Sequence, residues 1–470
     1  MKYQHALCLY PYYSYGLGDF FPPTGLEYVA TALAQDVGQV TLIDLRVEQE
    51  YRDLSSLTQF IRQRIDLLCV SVDVNFYFPQ VCNLLNYLPP EIPLIVGGKQ
   101  ATDHVAELFQ ICPQIAIIVR GEGEETIREI AQGKDLKDIL GISYKDNGRI
   151  IHNPNRPLPP VDTLQYPDRR LRRATYRANS KGVKYINAKF DTVLTARGCP
   201  YNCKFCNFSM NPLGQKREYS ARAPESVVEE IQSLKANVIF LADDNFCVDP
   251  KRTERICDLL IQQRVRKKFM AFVRIEITRY PALLKKLEQA GVQILFIGVE
   301  SPHDRVLQQL NKGFTSQEVR AAFKILREYE FFLHCTFIYG NIGESRAEML
   351  AIVDFAREIG ADSIFPQNLQ ARKFSRVKEL VEQTPGYDLD PEGFVYSDTY
   401  SRQELERIRR ELNRRFYTFG QKCRMILKLY KMGCISLADV FNLPPIFRRK
   451  ITKKVRTILY GGRRVGIPYT

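Results

Sequence analysis

No run of 18 apolar residues occurs in this 470-residue chain, so no membrane-spanning helix is expected. The N-terminal MKYQHALCLYPYY carries no long apolar stretch ahead of a small-residue cleavage site, and no secretory signal is expected either. A disulfide framework is missing too. Nine of the twelve cysteines stand singly, as at Cys8, Cys69, Cys112, Cys335 and Cys434. Scattered thiols of this kind are small buried residues of a reducing compartment, so the chain reads as cytoplasmic. No G-x-G-x-x-G follows the first apolar run, so a dinucleotide site would lack its usual fingerprint.

Acidic residues are scarce at one end. Residues 402–470 hold 18 Lys and Arg against 4 Asp and Glu, and this accounts for the whole net charge of +14. The same stretch is rich in apolar and aromatic residues, as in FYTFGQKCRMILKLYKM and PPIFRRKITKKVRTILY. Two readings stand side by side: a peripheral contact with an anionic membrane surface, and a solvated basic helical cap. No nucleic-acid partner is expected.

The chain length suggests about three domains. From 5 to 132, short apolar runs (ALCLYP, VTLIDL, DLLCVSVD, PLIVGG, IAIIVRG) alternate with helix-like segments such as GLEYVATALAQ and LTQFIRQRI. That alternation predicts an α/β, doubly wound, Rossmann-like domain over 1–135, with its ligand crevice at the carboxyl ends of the strands. Those ends hold Tyr12, Tyr13 and Tyr15, then Asn75 and Tyr77, then Gly97 and Gly98, then Gly121 and Glu122. Glycines there permit close approach of backbone to a large flat ligand; each taken alone is equally an ordinary turn residue. Residues 136–190 read as a linker, containing an Asn-Gly hairpin (GISYKDNGRI) and the Pro-rich, then basic NRPLPPVDTLQYPDRRLRR. From 191 to 375 six further strand–helix units predict a partial (βα)6 barrel, whose chemistry belongs at the strand carboxyl ends. Residues 376–470 are read as a basic, mainly helical C-terminal domain.

Directly after the first strand of this second array comes TARGCPYNCKFCNFSM, with Cys199, Cys203 and Cys206 spaced C-x3-C-x2-C. A structural zinc site takes four protein ligands and a catalytic one takes three with water. Iron–sulfur clusters are held by thiolates, normally four. Three thiolates on a Fe4S4 cluster would leave one iron open to bind a small molecule.

The motif resembles the signature of radical S-adenosylmethionine (SAM) enzymes, with Phe205 as the aromatic before the last cysteine. The resemblance extends along the strands. LADDNF, with Asp243 and Asp244, resembles the family's second-strand motif, and FIGVES, with Glu300, its fourth-strand motif. FIYGNIGES resembles the fifth-strand motif, retaining Gly340 and Glu344 while Ile342 and Ser345 replace the usual Pro and Thr. PPTGLEYVATAL, LIVGGKQAT and IIVRGEGEET resemble the cobalamin-binding domain that precedes the barrel in one large subclass. The resemblance covers about residues 5–375 and lacks the D-x-H-x-x-G motif whose His ligates cobalt in other cobalamin domains. It implies a Fe4S4 cluster on the three cysteines. It implies SAM bound near Phe205, Asp243, Asp244, Arg274, Glu300, Gly340 and Glu344, and cobalamin near Tyr15, Asn75, Gly97, Gly98, Gly121 and Glu122. Several of these have a plainer reading. Glu300 would cap a helix beginning near Pro302, Asp243 and Asp244 would cap the following helix or bind a cation, and Arg274 would be a salt-bridge partner rather than a carboxylate clamp. The first domain, read plainly, is a degenerate layer that binds nothing or serves another ligand.

In the family, reductive cleavage of SAM yields a 5′-deoxyadenosyl radical that abstracts hydrogen from substrate. The expected function is thus cobalamin-dependent methylation of an unactivated carbon in a small-molecule, lipid or tetrapyrrole substrate, with a reducing partner such as flavodoxin or ferredoxin. The alternative is cyclisation or oxidative rearrangement without methyl transfer. An RNA-modifying thiotransferase fits less well, because an N-terminal cysteine trio is missing. A non-catalytic cobalamin sensor would need no cysteine signature.

Overall fold

The computed structural model describes residues 2–12, 21–73, 78–177, 188–206, 210–371 and 375–435. Five parallel strands open the chain: β1 (His5–Tyr10), β2 (Gln39–Asp44), β3 (Leu67–Ser71), β4 (Leu94–Gly97) and β5 (Ile115–Val119). Helices α1 (Thr24–Leu33), α2 (Leu54–Arg64), α3 (Phe78–Tyr87), α4 (Lys99–Asp103), α5 (Val105–Ile111) and α6 (Glu124–Ala131) connect and follow them. Strand alternation divides the core into two layers. Leu7 and Leu9 join α2, α3 and α5 on one face, while Ala6 and Cys8 join α1 and α6 on the other. The sheet order β2-β1-β3-β4-β5 places the topological switch between β1 and β3, where a crevice opens at the strand carboxyl ends.

The hairpin expected in the linker belongs to this sheet. Strands β6 (Ile142–Asp146) and β7 (Arg149–His152) extend it antiparallel beyond β5. Asn147 and Gly148 both have positive φ, 47° and 78°, the conformation that a two-residue hairpin turn demands.

The second array is a six-stranded parallel sheet: β8 (Phe190–Val193), β11 (Val238–Leu241), β12 (Lys268–Val273), β13 (Val292–Glu300), β14 (Phe332–Tyr339) and β15 (Ser363–Asn368). Each strand pairs with the next in this order, as a partial barrel requires. Two short strands, β9 (Ala196–Arg197) and β10 (Ser220–Ala221), pair antiparallel across the base of the loop that carries the cysteines. Helices α7 (Pro224–Ser233), α8 (Pro250–Gln262), α9 (Pro281–Gln289), α10 (Asp304–Gln309), α11 (Ser316–Leu326) and α12 (Arg346–Glu358) follow the strands. After β15 come α13 (Arg376–Glu382), the hairpin β16 (Tyr387–Leu389) and β17 (Val395–Ser397), then α14 (Arg402–Phe416) and α15 (Phe419–Lys431). Helix α14, which opens the basic end, is not separate from the barrel. Leu405, Ile408, Leu412 and Phe416 form one apolar stripe of α14 and lie in the same core as the barrel strands. Helix α15 crosses the amino ends of the strands, where Lys428 reaches Asp362 and Gln293 donates to the Met432 carbonyl at 2.8 Å. Among the described residues no helix is long and apolar enough to cross a membrane.

The basic run of the linker bolts the two arrays together. Arg172 pairs with Glu27 on α1 at 2.7 Å and with Asp191 on β8, and Arg169 reaches Glu230 on α7 at 2.7 Å. Arg222 pairs with the same Glu230. Glu27, Asp191, Glu230 and Arg222 are buried. Tyr176 donates to Asp44 of the first sheet at 2.6 Å. Four guanidinium–carboxylate contacts away from water cost desolvation, and the removal of one partner strands the others as unpaired buried charge. Arg172→Ala is therefore expected to destabilise the fold by about 3–5 kcal/mol. Removing the half-exposed neighbour Arg173, paired with Glu50, should cost under about 1 kcal/mol. Urea denaturation of both variants checks the contrast.

Candidate functional site

The cysteine loop is held at both ends before any thiol is considered. Asp243, at the end of β11 and fully buried, accepts from Thr195 N (2.6 Å), Ala196 N (3.0 Å) and Thr195 Oγ1 (2.5 Å). Burial pushes its carboxyl up to about 6 despite those bonds. Gly198 turns the chain with φ +81°, and a Cβ there would lie 2.4 Å from the Arg217 carbonyl oxygen, so no other residue fits. Beyond the turn, Cys206 N donates to Cys203 O at 3.1 Å, Lys204 N to Leu310 O at 3.0 Å, and Ser375 Oγ to Lys204 O at 2.9 Å. Cys199, Cys203 and Cys206 are all partly exposed on this pinned loop. Burial pushes the Cys199 thiol up to about 11, with the nearby Cys206 and Asp244 adding to the rise. Asn207 and Phe208 lie outside the described residues.

A layer of buried charge lies beneath the loop. Glu300 ends β13 at a register shift and has φ +69°, a strained conformation for a residue with a side chain. It caps no helix: His303 precedes α10, and Glu300 instead pairs with buried Lys312 at 2.8 Å. The Lys312 ammonium sits 5.6 Å from both the Phe205 and Phe314 rings. Arg274 is a salt-bridge partner of Glu276 at 2.7 Å; it also donates to the Lys312 carbonyl at 2.6 Å and to Cys203 Sγ at 3.5 Å. Its guanidinium lies 3.7 Å from the centroid of the Tyr201 ring, so a cation faces the cysteine loop from below.

At the end of β14, Gly340 (φ +73°) backs against Asn368 and Leu405 of α14. Glu344 is buried; one carboxylate oxygen accepts from Asn341 N at 2.9 Å and from Asn341 Nδ2 at 3.1 Å. Its other oxygen, the Asn341 Oδ1 and the Tyr339 hydroxyl are buried without a hydrogen-bond partner. Phe205 packs against the apolar cluster that holds Ile338 and Ile342 of the same strand end together with Val306 and Leu310.

Between the two arrays lies a cavity of ≈ 440 Å³, within the range of ligand pockets. From the first sheet it takes Gly97, Gly98, Gly121 and Glu122, as expected; from the second it takes Arg197, Gly198 and Asp244. Gly98 has φ +102°, and a Cβ would come within 2.6 Å of Asp73 Oδ1. Asp73 itself accepts from Lys99 N at 3.0 Å, fixing the β4–α4 turn. Glu122 and Glu124 pair with Arg197 at 2.9 and 2.5 Å, and Arg197 lies 5.0 Å over the Tyr28 ring. A buried Glu124 oxygen is left without a partner. Burial raises the carboxyls of Glu122 and Asp244, against the pull of Arg197 and Lys99 respectively.

The expected residues thus divide into two groups. Gly97, Gly98, Gly121, Glu122 and Asp244 share the cavity, while Arg274 and Glu300 lie in the layer beneath the cysteine loop and Phe205 faces that layer from the loop itself. Tyr13, Tyr15, Asn75 and Tyr77 lie outside the described residues. Asp243 is bonded to the loop backbone and does not line the cavity; neither it nor Asp244 caps the following helix, because Asp249 caps α8. Lys312, Tyr201, Asp73 and Arg197 went unnoticed as partners, because each acts through a contact distant in sequence. Among the described residues no three Cys, His, Asp or Glu side chains gather to hold a single metal ion. A four-iron cluster asks for thiolates on separate irons, and the pinned loop supplies three. The orphaned polar atoms at Glu344 and Glu124 fit bound polar ligands.

Glu344 also gives the fold a pH dependence. Burial, its largest influence, pushes its carboxyl up from 4.5 to about 7. The folded chain therefore binds a proton more tightly than the unfolded chain. Its stability contribution is fully present below pH 4.5 and falls as pH rises to about 7. Glu344→Gln should remove this fall and leave the variant more stable than the parent at pH 8 by roughly 3 kcal/mol. Urea midpoints of both proteins at pH 5 and pH 8 test the sign.

Comparison with known proteins agrees with this geometry. The family model for the radical SAM superfamily matches residues 193–356, and that for the B12 binding domain matches residues 17–131. An uncharacterized methyltransferase of Pyrococcus horikoshii is 28% identical over 74% of this chain and 75% of its own. The anaerobic magnesium-protoporphyrin IX monomethyl ester cyclase of Rubrivivax gelatinosus is 25% identical over 92% of this chain and 81% of its own. The hopanoid C-3 methylase of Methylococcus capsulatus is 26% identical over 62% of this chain, but only 55% of its own length is matched. Among solved structures, the radical SAM methyltransferase TsrM from Kitasatospora setae, with cobalamin and a 4Fe-4S cluster bound, shares the fold with a TM-score of 0.68 at 18% identity, covering 83% of this chain and 81% of that one. With a cysteine loop of the family's spacing on one array and a glycine-lined crevice on the other, the chain belongs to the radical SAM superfamily, in the branch that carries a B12-binding domain ahead of the core.

Proposed function

We propose that this enzyme is a cobalamin-dependent radical SAM methyltransferase acting on an unactivated carbon of a small-molecule, lipid or tetrapyrrole substrate. One observation carries the reading: Gly198, the residue that launches the cysteine loop, and Gly97, Gly98 and Gly121 of the B12-type sheet line the same cavity. When bound, the cluster with SAM supplies radical chemistry and cobalamin supplies a methyl carrier. The chain's part is to hold and orient these groups. Cys199, Cys203 and Cys206 would hold the cluster. Arg274, close to Cys203 Sγ, offers positive charge to its thiolate. Glu300 and Lys312 neutralise each other, and their ion pair sets the floor on which SAM would rest. The free oxygen of Glu344 is a hydrogen-bond acceptor facing no protein donor, suited to a donor on SAM. Glycines at 97, 98 and 121 would let the corrin approach backbone, while Glu122 and Glu124 are spent on Arg197.

The cyclase relative, aligned over 92% of this chain, keeps a second reading open: the same cofactors used for oxidative ring closure. Product mass distinguishes the two, because only methyl transfer adds a carbon. A one-electron donor such as flavodoxin or ferredoxin is part of either reading.

The exposed side of α15 supports a peripheral membrane contact. Phe419, Leu427 and Tyr430 are exposed there beside Lys422 and Lys431. Phe419→Ser with Leu427→Ser should weaken co-sedimentation with phosphatidylserine vesicles; unchanged binding would sink that contact. For the chemistry itself, anaerobic reconstitution with iron, sulfide and cobalamin should give iron–sulfur and cobalamin absorbance and deoxyadenosine from SAM. Cys203→Ala should drop cluster absorbance and deoxyadenosine to background while leaving cobalamin bound. Intact SAM cleavage in that variant rules the reading out.

A further inference from the structure

The concave face of the second sheet differs from the packed interior of a closed barrel. Parallel registers set Phe272, Phe296 and His334 side by side on β12, β13 and β14, while Phe240 of β11, level with Met270, meets Phe272 diagonally on the same face. Their rings touch in sequence: Phe240–Phe272 at 5.4 Å, Phe272–Phe296 at 5.1 Å and Phe296–His334 at 5.0 Å. A filled barrel buries such side chains in interdigitated layers. Here Phe272 is 37% exposed and Phe365, on the same face of β15, is 43% exposed. Rings left open to solvent on a central strand and on the edge strand of one face mark a surface that something else covers.

The face is also uncharged. Between Lys268 at its foot and the Arg274–Glu300–Lys312 layer at its top, the inward positions of the six strands carry no Asp, Glu, Lys or Arg. His334 is the one titratable group on it. Burial holds its imidazole down to about 4, so it is neutral at physiological pH, and its ring nitrogen is engaged with Ser363 Oγ at 2.6 Å. The other groups facing His334 are Phe296 and Ser363, neither of them charged. One end of the wall is closed by the first domain, whose Phe21 ring lies 5.3 Å from Phe190 and 5.2 Å from Phe240. The wall also meets the cavity. Ala242, which lines the cavity, follows Leu241, whose register partner Ala271 precedes Phe272.

We infer that this aromatic wall is the substrate-binding surface and that it takes an uncharged polycyclic hydrocarbon framework, a fused aliphatic ring system or a macrocycle face, rather than a nucleotide, sugar phosphate or peptide. The inference rests on the proposed function and adds the substrate class to it. A phosphate or carboxylate against this face would meet no counter-ion and would lose its water. A ring system would bury against Phe272 and Phe365, with its reacting edge toward the cavity and the cysteine loop. The phenyl ring of Phe272 is worth roughly 1.5–3 kcal/mol of burial, about a tenfold or greater change in affinity.

The test uses the full chain without added cofactors, so that it is independent of catalysis. A hopane hydrocarbon delivered in cyclodextrin and protoporphyrin IX dimethyl ester, whose carboxyls are masked, are each titrated against protein-bound Nile red, a neutral probe, with ATP as the charged competitor. Displacement by the hopane, the porphyrin or both, but not by ATP, is expected, and which of them displaces assigns the ring type. Phe272→Ser should weaken that displacement about tenfold or more at an unchanged thermal midpoint. Phe365→Ser, on the edge strand, gives the same reading should Phe272→Ser fold poorly. Equal affinity in both variants, loss of binding in Phe419→Ser instead, or stronger displacement by ATP overturns the proposal. Failure of the parent to load cluster or cobalamin would overturn the proposed chemistry and leave the wall measurement standing.

Discussion

The molecule depends on a buried ionic clamp between two α/β arrays. Glu27 of the first array and Asp191 and Glu230 of the second cannot sit at one interface as bare carboxylates. Arg169 and Arg172, from the linker, and Arg222, beside the cysteine loop, neutralise them. Because guanidinium forks are directional, the clamp fixes orientation as well as proximity. A second contact, Arg197 with Glu122 and Glu124, repeats the arrangement at the mouth of the cavity. Between the two lies the space that both arrays line. Neither array encloses that space alone, so the cavity is a consequence of docking.

The same economy governs the strand ends. Each carboxyl end that meets the cavity carries either a glycine in the left-handed region or a carboxylate tied to backbone. Gly98 lies against Asp73, Gly198 against the Arg217 carbonyl, and Asp243 beneath Thr195 and Ala196. Glu300, at a strand end away from the cavity, is instead a side-chain residue at φ +69°. Its conformation costs of the order of 1–3 kcal/mol, and the ion pair with Lys312 offsets part of that cost. Strain retained at a strand end directly under the cysteine loop is what a functional role for Glu300 would require.

Much of this was legible in the sequence, for physical reasons. Apolar runs of five or six residues separated by amphipathic helices leave little choice but parallel sheets, and all eleven expected strands appear. The cysteine spacing and the glycines at strand ends are local patterns, so they could be read directly. Three things were not legible. The hairpin at 142–152 looked like linker because its partner, β5, is contributed by tertiary pairing. The apolar stripe of α14 was masked by the positive charge around it, although Leu405, Ile408, Leu412 and Phe416 bury it in the barrel core. Lys312 gave no signal at all: one lysine in NKGF acquires meaning only when Glu300 is folded against it.

The histidines of the first domain stand away from the cavity, in keeping with the missing D-x-H-x-x-G motif. His5 opens β1 at the amino end, opposite the crevice, and bonds Thr41. His104 pairs with Glu107, and His152 with Ser143 at the far edge of the sheet. None of these is among the residues lining the cavity. On the floor, Cys69, Val70, Ile95 and Val119 are apolar or weakly polar, and the nearest charges are already committed: Asp73 to the Lys99 backbone, Glu122 to Arg197. A large ligand there would be held by buried area and by backbone approach at glycine, beside Asp244 and the unpartnered Glu124 oxygen. That arrangement leaves the reactive face of the ligand to be governed from the other array, where Arg274, Lys312 and the cysteine loop concentrate the polar groups above the wall of phenyl rings.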